Sequence, residues 1–244
     1  MITMSGEMGY PGALSAPIWG FEDVSFKGDS LSLPQPFETY VMENILFKIS
    51  FPAEFHAQTA VEAAVSLHSE IKDRINEIES IEITTHESAI RIISKVGELN
   101  NPADRDHCLQ YMVAIGLLKG NLVAEDYEDD VAKDPRVDGL REKMIINEDK
   151  RYSKEYLEAD KRSIANRIKV HFKDGTATNE VEVEYPIGHK RRRKEGIPIL
   201  EKKFKDNLSI TYDESKSNEI FELCMDQRKL EETSVADFQQ LLSK

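Results

Sequence analysis

Residues 56–86, HAQTAVEAAVSLHSEIKDRINEIESIEITTH, carry two hydrophobic periods, one directly after the other. Apolar residues recur at helical spacing over about residues 56–75 and predict a long amphipathic helix, with one face formed by Val61, Ala64, Val65, His68, Ile71 and Ile75. From Ser80 to His86 the apolar period changes to two, which predicts a half-buried strand. A helix that leads directly into a strand indicates an α+β fold.

The rest of the chain supports this fold class. Ile168, Val170 and Phe172 alternate with polar residues, Asp174-Gly175 supplies a turn, and alternation resumes over 181–185, so a β-hairpin is predicted. Residues 1–40, rich in Gly, Pro, Ser and aromatics, predict turns around a short helix. Further helices are predicted at 88–95, 105–119 with Gly120 at the end, 126–130, 134–144, 197–208, 214–230 and 235–242.

Composition describes a folded and acidic protein. The chain has 244 residues, of which 40% are hydrophobic and 32% charged, so it can bury a substantial core. Asp and Glu number 45 against 32 Lys and Arg, a net charge of −13, which argues against nucleic acid or an anionic membrane as partner. An anionic ligand therefore has to be held by a local cluster of cations.

The sequence lacks the motifs that several classes of chemistry require. Cys108 and Cys224 are the only cysteines, which excludes a disulfide framework and a four-thiolate zinc site. There is no HExxH pair, glycine-rich phosphate loop or Gly-x-Ser-x-Gly elbow, so we expect no metal and no cofactor. No apolar run approaches membrane-spanning length, and the first residues do not form a secretion signal.

Two polar segments are candidate functional sites. Residues 47–56, FKISFPAEFH, place Lys48, Glu54 and His56 just before the long helix, whose N-terminus favours a carboxylate ligand. Alternatively, Lys48 is a solvated surface charge and His56 an ordinary residue of the first helical turn.

The second segment, residues 100–111, NNPADRDHCLQY, gathers ionisable residues at the start of an apolar helix. His107 and Tyr111 are four residues apart and are predicted to share a face. Ionisable groups at the edge of a core often act as acids and bases. The alternative is a capping network, with Tyr111 at the edge of the core.

A basic run, HKRRRK, occupies residues 189–194. Such runs occur as nuclear-import signals, as nucleic-acid patches and, most often, as solvated loops. In a chain of net charge −13 we predict intramolecular pairing with acidic segments such as Asp126–Asp130.

The sequence resembles the MmgE/PrpD family along essentially its whole length. The segments that carry the resemblance are GEMGYPGALSAPIWGF (6–21), KISFPAEFHAQTAVEAA (48–64), NNPADRDHCLQYMVAI (100–115), RSIAN (162–166) and YPIGHKRRRKEGIP (185–198). The resemblance implies a homodimer in which a large all-helical domain is interrupted by a smaller α+β domain. Residues 1–40 and 189–244 then belong to a helical domain that is mostly missing here, and residues 41–188 form the α+β domain.

The same resemblance implies a hydro-lyase activity. Within the family these motifs are similar to the branch that dehydrates 2-methylcitrate to 2-methyl-cis-aconitate in propionate breakdown, without an iron–sulfur cluster. By motif the resemblance implies Tyr111, Lys48 and either His56 or Glu54 as site residues. We expect Tyr111 and Lys48 to transfer protons, with His56 and His107 assisting. The substrate tricarboxylate is then expected to contact Arg105, Glu54 and Asp104.

In the family the GEMGYP segment lies near mid-chain, so we expect this chain to be a C-terminal half, a fragment with weak or no activity alone. Two alternatives stay open: a non-catalytic fragment that acts only as an interaction module, or a relative that acts on another citrate-like acid. The resemblance implies a cytoplasmic location, or a mitochondrial one in a eukaryote.

Overall fold

A computed structural model describes residues 3–33, 36 and 44–243. The chain falls into two compact units, Met1–Glu43 and Asn44–Lys244. In the described part of the first unit, turns surround a short helix α1 (Phe21–Phe26), as predicted. Among the described residues, no helix is long and apolar enough to cross a membrane.

The second unit begins its regular structure with the predicted helix and strand. Helix α2 (Gln58–Ile71) follows a 3-10 turn and buries a stripe of Ala, Val and Leu side chains. Strand β1 (Ile78–Thr85) alternates buried Ile81 and Ile83 with exposed Glu82. The helix and the strand predicted from residues 56–86 are both present. The helix ends at Ile71, so Ile75 lies in a 3-10 turn beyond it, and His86 caps the helix that follows β1.

The remaining elements are helices and three further strands, and the described chain ends in helices. In chain order they are α3 (Glu87–Ile93), α4 (Pro102–Asp106), α5 (Leu109–Lys119), α6 (Asp129–Ala132), α7 (Pro135–Arg141), β2 (Met144–Glu148), α8 (Lys150–Leu157), β3 (Asn166–Phe172), β4 (Val181–Val183), α9 (Arg193–Thr211), α10 (Glu214–Met225), α11 (Gln227–Glu232) and α12 (Val235–Leu242). The fold is therefore mixed α+β.

The four strands form one mixed sheet in the order β2-β1-β3-β4. Strand β2 runs parallel to β1, with Ile81 opposite Met144, whereas β3 runs antiparallel to β1, with Ile83 opposite Ile168. Strands β3 and β4 form the predicted antiparallel hairpin. The turn at Asp174-Gly175 needs glycine because Gly175 has a φ of +82°.

The core lies between this sheet and helices α2 and α5. The inward side chains of the central strands, among them Ile81, Ile168 and Val170, are fully buried. The two helices pack very closely, since a Cβ added at Gly116 would lie 3.0 Å from the Cβ of Ala64. The candidate site residues lie at or just before the N-terminal ends of α2 and α5.

The predicted helix 105–119 is two helices, which corrects one inference. Pro102 starts α4, capped by the Asn101 side chain, and α5 starts only after Cys108, whose backbone is extended. His107 lies between the two helices with an exposed side chain, whereas Tyr111 is buried. The two residues therefore do not share a helix face.

Other element boundaries differ from the predictions. The helix predicted at 126–130 is a 3-10 turn followed by α6, and the helix predicted at 214–230 is divided at Asp226, whose side chain caps α11. The helix predicted at 134–144 is α7, capped by the Asp134 side chain, but Met144 already belongs to β2. Strand β2 and helix α8 were not predicted.

In the described part of the chain, the basic run pairs with residues other than the acidic segment 126–130. Arg192 forms ion pairs with Glu62 at 2.8 Å and with Glu195 at 2.9 Å. Arg191 donates to the backbone carbonyl of Asp160. Asp126 instead pairs with Lys119, which lies closer along the chain. The predicted acidic partner was therefore wrong.

Residues that follow Asn44 lie beside those that follow Pro186. The Phe47 N–H donates to the Gly188 carbonyl at 3.2 Å, and Lys203 Nζ donates to the Lys48 carbonyl at 2.8 Å. Gly188 has a φ of +96°, and a Cβ there would lie 2.0 Å from the Phe47 carbonyl oxygen. Only glycine allows this approach.

Candidate active site

Glu54 and His56 form a tightly bonded pair just before α2. Glu54 accepts the backbone N–H of His56 at 2.7 Å and lies 2.9 Å from the imidazole Nδ1. Burial raises the pKa of Glu54, but the side-chain and backbone hydrogen bonds from His56 outweigh it, so the pKa is lowered overall. The carboxylate is therefore an acceptor, and the proton on the ring lies on Nδ1.

This proton position makes the other ring nitrogen of neutral His56 an acceptor. His56 Nε2 lies 3.1 Å from the hydroxyl of Tyr156 on helix α8, so the tyrosine donates. A carboxylate, an imidazole and a hydroxyl thus follow one another in a single hydrogen-bonded chain. The same order of groups activates hydroxyls in many enzymes.

His86 completes what we call the histidine cluster: Glu54, His56, His86 and Tyr156. Its ring stacks on Tyr156, with centroids 4.7 Å apart and planes at 10°, and lies 5.2 Å from the ring of His56. Its Nδ1 accepts the Ala89 N–H and caps α3 at 3.3 Å, which leaves the ring proton on Nε2.

His86 is fully buried, and its Nε2 has no hydrogen-bond partner among the described residues. Burial lowers the pKa of His86 most, the positive charge that His56 carries when protonated adds to this, and Glu54 opposes both, which brings the pKa to about 4. His86 is therefore neutral at neutral pH and offers an unpaired buried N–H.

A second group, the tyrosine–arginine cluster, contains Arg105, Tyr111, Asp126 and Tyr127. The Tyr111 hydroxyl donates to the Asp126 carbonyl at 2.6 Å, and its ring stacks on Tyr127. Burial raises the pKa of Tyr111 to about 12. Buried Arg105 donates to the Tyr127 carbonyl at 2.6 Å and pairs with Asp129 at 2.7 Å.

Arg105 and Tyr111 border a cavity of 580 Å³ on this side of α5. The cavity is lined by Lys95, Val96, Gly97, Glu98, Leu99, Asn100, Arg105, Gln110, Tyr111, Ala132, Asp138, Arg141, Glu142 and Met144. Tyr127 links the two clusters, because its hydroxyl donates to the carbonyl of Pro52 at 2.9 Å, two residues before Glu54.

The other predicted site residues lie around these clusters. Lys48 is exposed and borders an apolar groove with Phe47 and Phe204. His107 is paired with Asp106, and its charge lowers the pKa of Glu54 after the larger effects of burial and His56. Asp104 accepts from the Asn100 N–H and the Asn101 side chain, each at 3.1 Å.

The structure thus brings Glu54 and His56 together in one cluster and Arg105 and Tyr111 in another, and it leaves Lys48 apart from both. Sequence reasoning missed His86 and Tyr156. His86 stands at a strand-to-helix junction and is detectable as a cap, whereas Tyr156 has no local signal. Within the described residues, no group of three or more His, Cys, Asp or Glu side chains is arranged to hold a metal ion.

Several known proteins are similar in sequence to this chain. Residues 51–227 match the MmgE/PrpD C-terminal domain. The 2-methylcitrate dehydratase of Escherichia coli (strain K12) is 54% identical over 241 residues, which are 98% of this chain and 50% of the relative. The 2-methylcitrate dehydratase of Cupriavidus necator is 52% identical over the same shares of the two chains.

A mitochondrial 2-methylcitrate dehydratase of Yarrowia lipolytica is 53% identical over 223 residues, 90% of this chain and 43% of that protein. The chain spans about half the length of the curated relatives it matches. The family match covers most of the sequence and includes both clusters. This chain belongs to the MmgE/PrpD family.

Proposed function

We propose that this chain carries the C-terminal-domain part of a 2-methylcitrate dehydratase, a hydro-lyase that acts on a tricarboxylate without an iron–sulfur cluster. The Escherichia coli, Cupriavidus necator and Yarrowia lipolytica relatives bear that name. The observation that carries the proposal is the Glu54–His56 pair, in which an ionised carboxylate orients an imidazole. Such a pair supplies the base that a dehydration needs.

The reaction removes a proton from a carbon next to a carboxylate and expels a hydroxide. His56 is the base, and the charge that develops on its ring is stabilised by Glu54 at 2.9 Å. Because Glu54 lies behind the imidazole and remains ionised, it plays the part of the carboxylate in a catalytic triad.

The departing hydroxide needs a proton donor, and Tyr111 fits that task. A tyrosine with a pKa of about 12 keeps its proton at neutral pH and remains acidic enough to protonate hydroxide. Arg105, beside it at the cavity, is the cation that we assign to a substrate carboxylate. Lys48, His107 and Asp104 stay in the proposal as further site residues on the basis of the resemblance alone.

The remaining parts of the proposal rest on the family. They are the homodimer, the cytoplasmic or mitochondrial location, and the division into a helical domain (1–40 and 189–244) and an α+β domain (41–188). The Yarrowia lipolytica relative is named as mitochondrial, and the bacterial relatives carry no such label.

A chimera tests the activity. The N-terminal half of the Escherichia coli relative is joined to this chain and supplied with 2-methylcitrate, and the conjugated double bond of the product is followed by ultraviolet absorbance. We expect turnover by the chimera, little or none by either half alone, and a much slower His56→Gln chimera. A folded chimera that converts citrate-like acids by decarboxylation, or does not convert them at all, would contradict the proposal.

A further inference from the structure

The histidine cluster contains two side chains that the proposed mechanism does not yet use. We propose that Tyr156 is the hydroxyl through which the Glu54–His56 pair exchanges a proton with the substrate, and that His86 is the positioning residue that holds the Tyr156 ring. The inference rests on the proposed dehydratase function and adds these two residues to it.

Of the two side chains that exchange the proton, His56 and Tyr156, exposure identifies Tyr156 as the one that a ligand reaches. His56 is only 6% exposed, and both of its ring nitrogens are occupied, one by Glu54 and one by the Tyr156 hydroxyl. Tyr156 is partly exposed on helix α8. A proton that moves between the substrate and His56 therefore passes through the Tyr156 oxygen.

His86 fixes the plane of that tyrosine. Its own orientation is set by the Ala89 N–H, which binds Nδ1 at the start of α3, and its ring lies flat against the Tyr156 ring. Because Nδ1 accepts a hydrogen bond, the ring proton of His86 is on the buried Nε2. This N–H has no hydrogen-bond acceptor in the described part of the chain. An oxygen of a bound carboxylate or hydroxyl group is the acceptor that we assign to it.

The proton balance of the step is complete. As the substrate C–H proton passes to the Tyr156 oxygen, the proton of the Tyr156 hydroxyl passes to His56 Nε2. The C–H electron pair forms the new double bond, and the C–O bond breaks with its electron pair. The hydroxide takes the Tyr111 proton and leaves as water. His56 then releases a proton through Tyr156 to solvent, and Tyr111 regains a proton from solvent.

Kinetics of the active chimera test both residues. We expect Tyr156→Phe to lower kcat by about 10²–10⁴-fold with little change in KM. The matched control is Tyr152→Phe, which removes a hydroxyl one turn earlier on the same helix and is expected to keep the activity of the parent chimera. A Tyr156→Phe variant with unchanged kcat would overturn the relay.

Two substitutions separate the roles of His86. His86→Asn keeps a helix-capping acceptor and removes the stacked ring, whereas His86→Phe keeps a flat ring and removes both nitrogens. We expect the Asn variant to lose kcat by more than about tenfold, and the Phe variant to keep most of kcat with a raised KM. Equal kcat in both variants and the parent would refute the positioning role.

Nuclear magnetic resonance of the chain itself separates this inference from the proposed function. With ¹⁵N-labelled histidine, Tyr156→Phe should shift the Nε2 resonance of His56 and leave its protonated Nδ1 in place. An unchanged Nε2 resonance would overturn the relay even in an active enzyme. An inactive chimera would overturn the dehydratase proposal, and the Nε2 resonance would still decide whether Tyr156 donates to His56.

Discussion

The histidine cluster and the tyrosine–arginine cluster use their hydrogen bonds differently. In the first, bonds run from side chain to side chain, as from His56 to Glu54 and from Tyr156 to His56. In the second, Tyr111 and Arg105 donate to backbone carbonyls. A carbonyl does not take up a proton at ordinary pH, whereas an imidazole does. The first arrangement can therefore pass a proton from one side chain to the next, whereas the second keeps the Tyr111 hydroxyl in its protonated form, as a proton donor requires.

The strongest test of this contrast removes the imidazole. In the chimera, His56→Gln should lower kcat by about 10²–10⁴-fold, because the amide cannot act as a base. The comparison variant is His68→Gln on α2, since His68 bonds only to the Leu117 carbonyl at 2.8 Å in the described chain. Equal loss of turnover in the two variants would show that the effect is not specific to the cluster.

Tyr111→Phe should act on both activity and stability. Loss of the proton donor should slow turnover by about 10²-fold or more. Loss of the bond to the buried Asp126 carbonyl should lower the free energy of unfolding by about 1–3 kcal/mol, measured by urea denaturation of the chain. A large kinetic effect without any loss of stability would mean that the hydroxyl does not hold the carbonyl in solution.

Acid should destabilise the protein through its buried histidines. Burial lowers the pKa of His86 to about 4, whereas the pKa of a histidine in the unfolded chain is near 6.5. Between these values the unfolded state binds more protons, so stability is complete above pH 6.5 and falls as the pH drops toward 4. The loss from His86 should be about 3 kcal/mol. The lowered pKa values of Glu54 and His189 change stability in the same direction.

Denaturation midpoints measured between pH 4 and pH 7 check this prediction. His86→Phe should flatten the pH dependence in part, because His189, whose pKa burial also lowers to about 4, still contributes. A His86→Phe profile that runs parallel to that of the parent chain would argue against a neutral, buried His86.

The smallest effect is expected for Arg105→Lys. Lysine keeps the charge but cannot reach the Tyr127 carbonyl and Asp129 together, as the guanidinium does. The free energy of unfolding should fall by about 1 kcal/mol. The reference is Lys202→Arg, a change in an exposed pair with Asp206 on α9 that should have almost no effect. Similar losses of unfolding free energy in the two variants would show that buried Arg105 contributes no more to stability than a surface cation does.

Local pattern was sufficient for the elements whose side chains alternate cleanly. Helix α2, strand β1 and the β3–β4 hairpin were predicted because each buries one face. Strand β2 was missed because it lies at the sheet edge, where Ile145 is 49% exposed, and its sequence extends the pattern of α7. The break after Asp106 depends on the extended backbone of Cys108, which no apolar period indicates.

The candidate site shows the same limit. Glu54 and His56 are two residues apart, so a sequence motif contains both. His86 and Tyr156 reach His56 only because the fold brings the end of β1 and helix α8 beside the start of α2. Contacts between residues 30 and 100 positions apart produce no hydrophobic period that a single sequence could reveal. Their hydrogen bonds also depend on which ring nitrogen carries the proton, and this is defined only by the complete cluster.

The close approach of Phe47 and Gly188 has a consequence for moving the segment between them into another protein. Because these residues are hydrogen bonded at 3.2 Å, the two chain ends of the α+β portion between them emerge side by side. A segment with adjacent ends can be inserted into a loop of another protein without separating the strands or helices of the host. The loop-closure entropy of joining those ends is correspondingly small, so a circularly permuted version with a new terminus in an exposed turn such as 174–175 should keep the sheet intact.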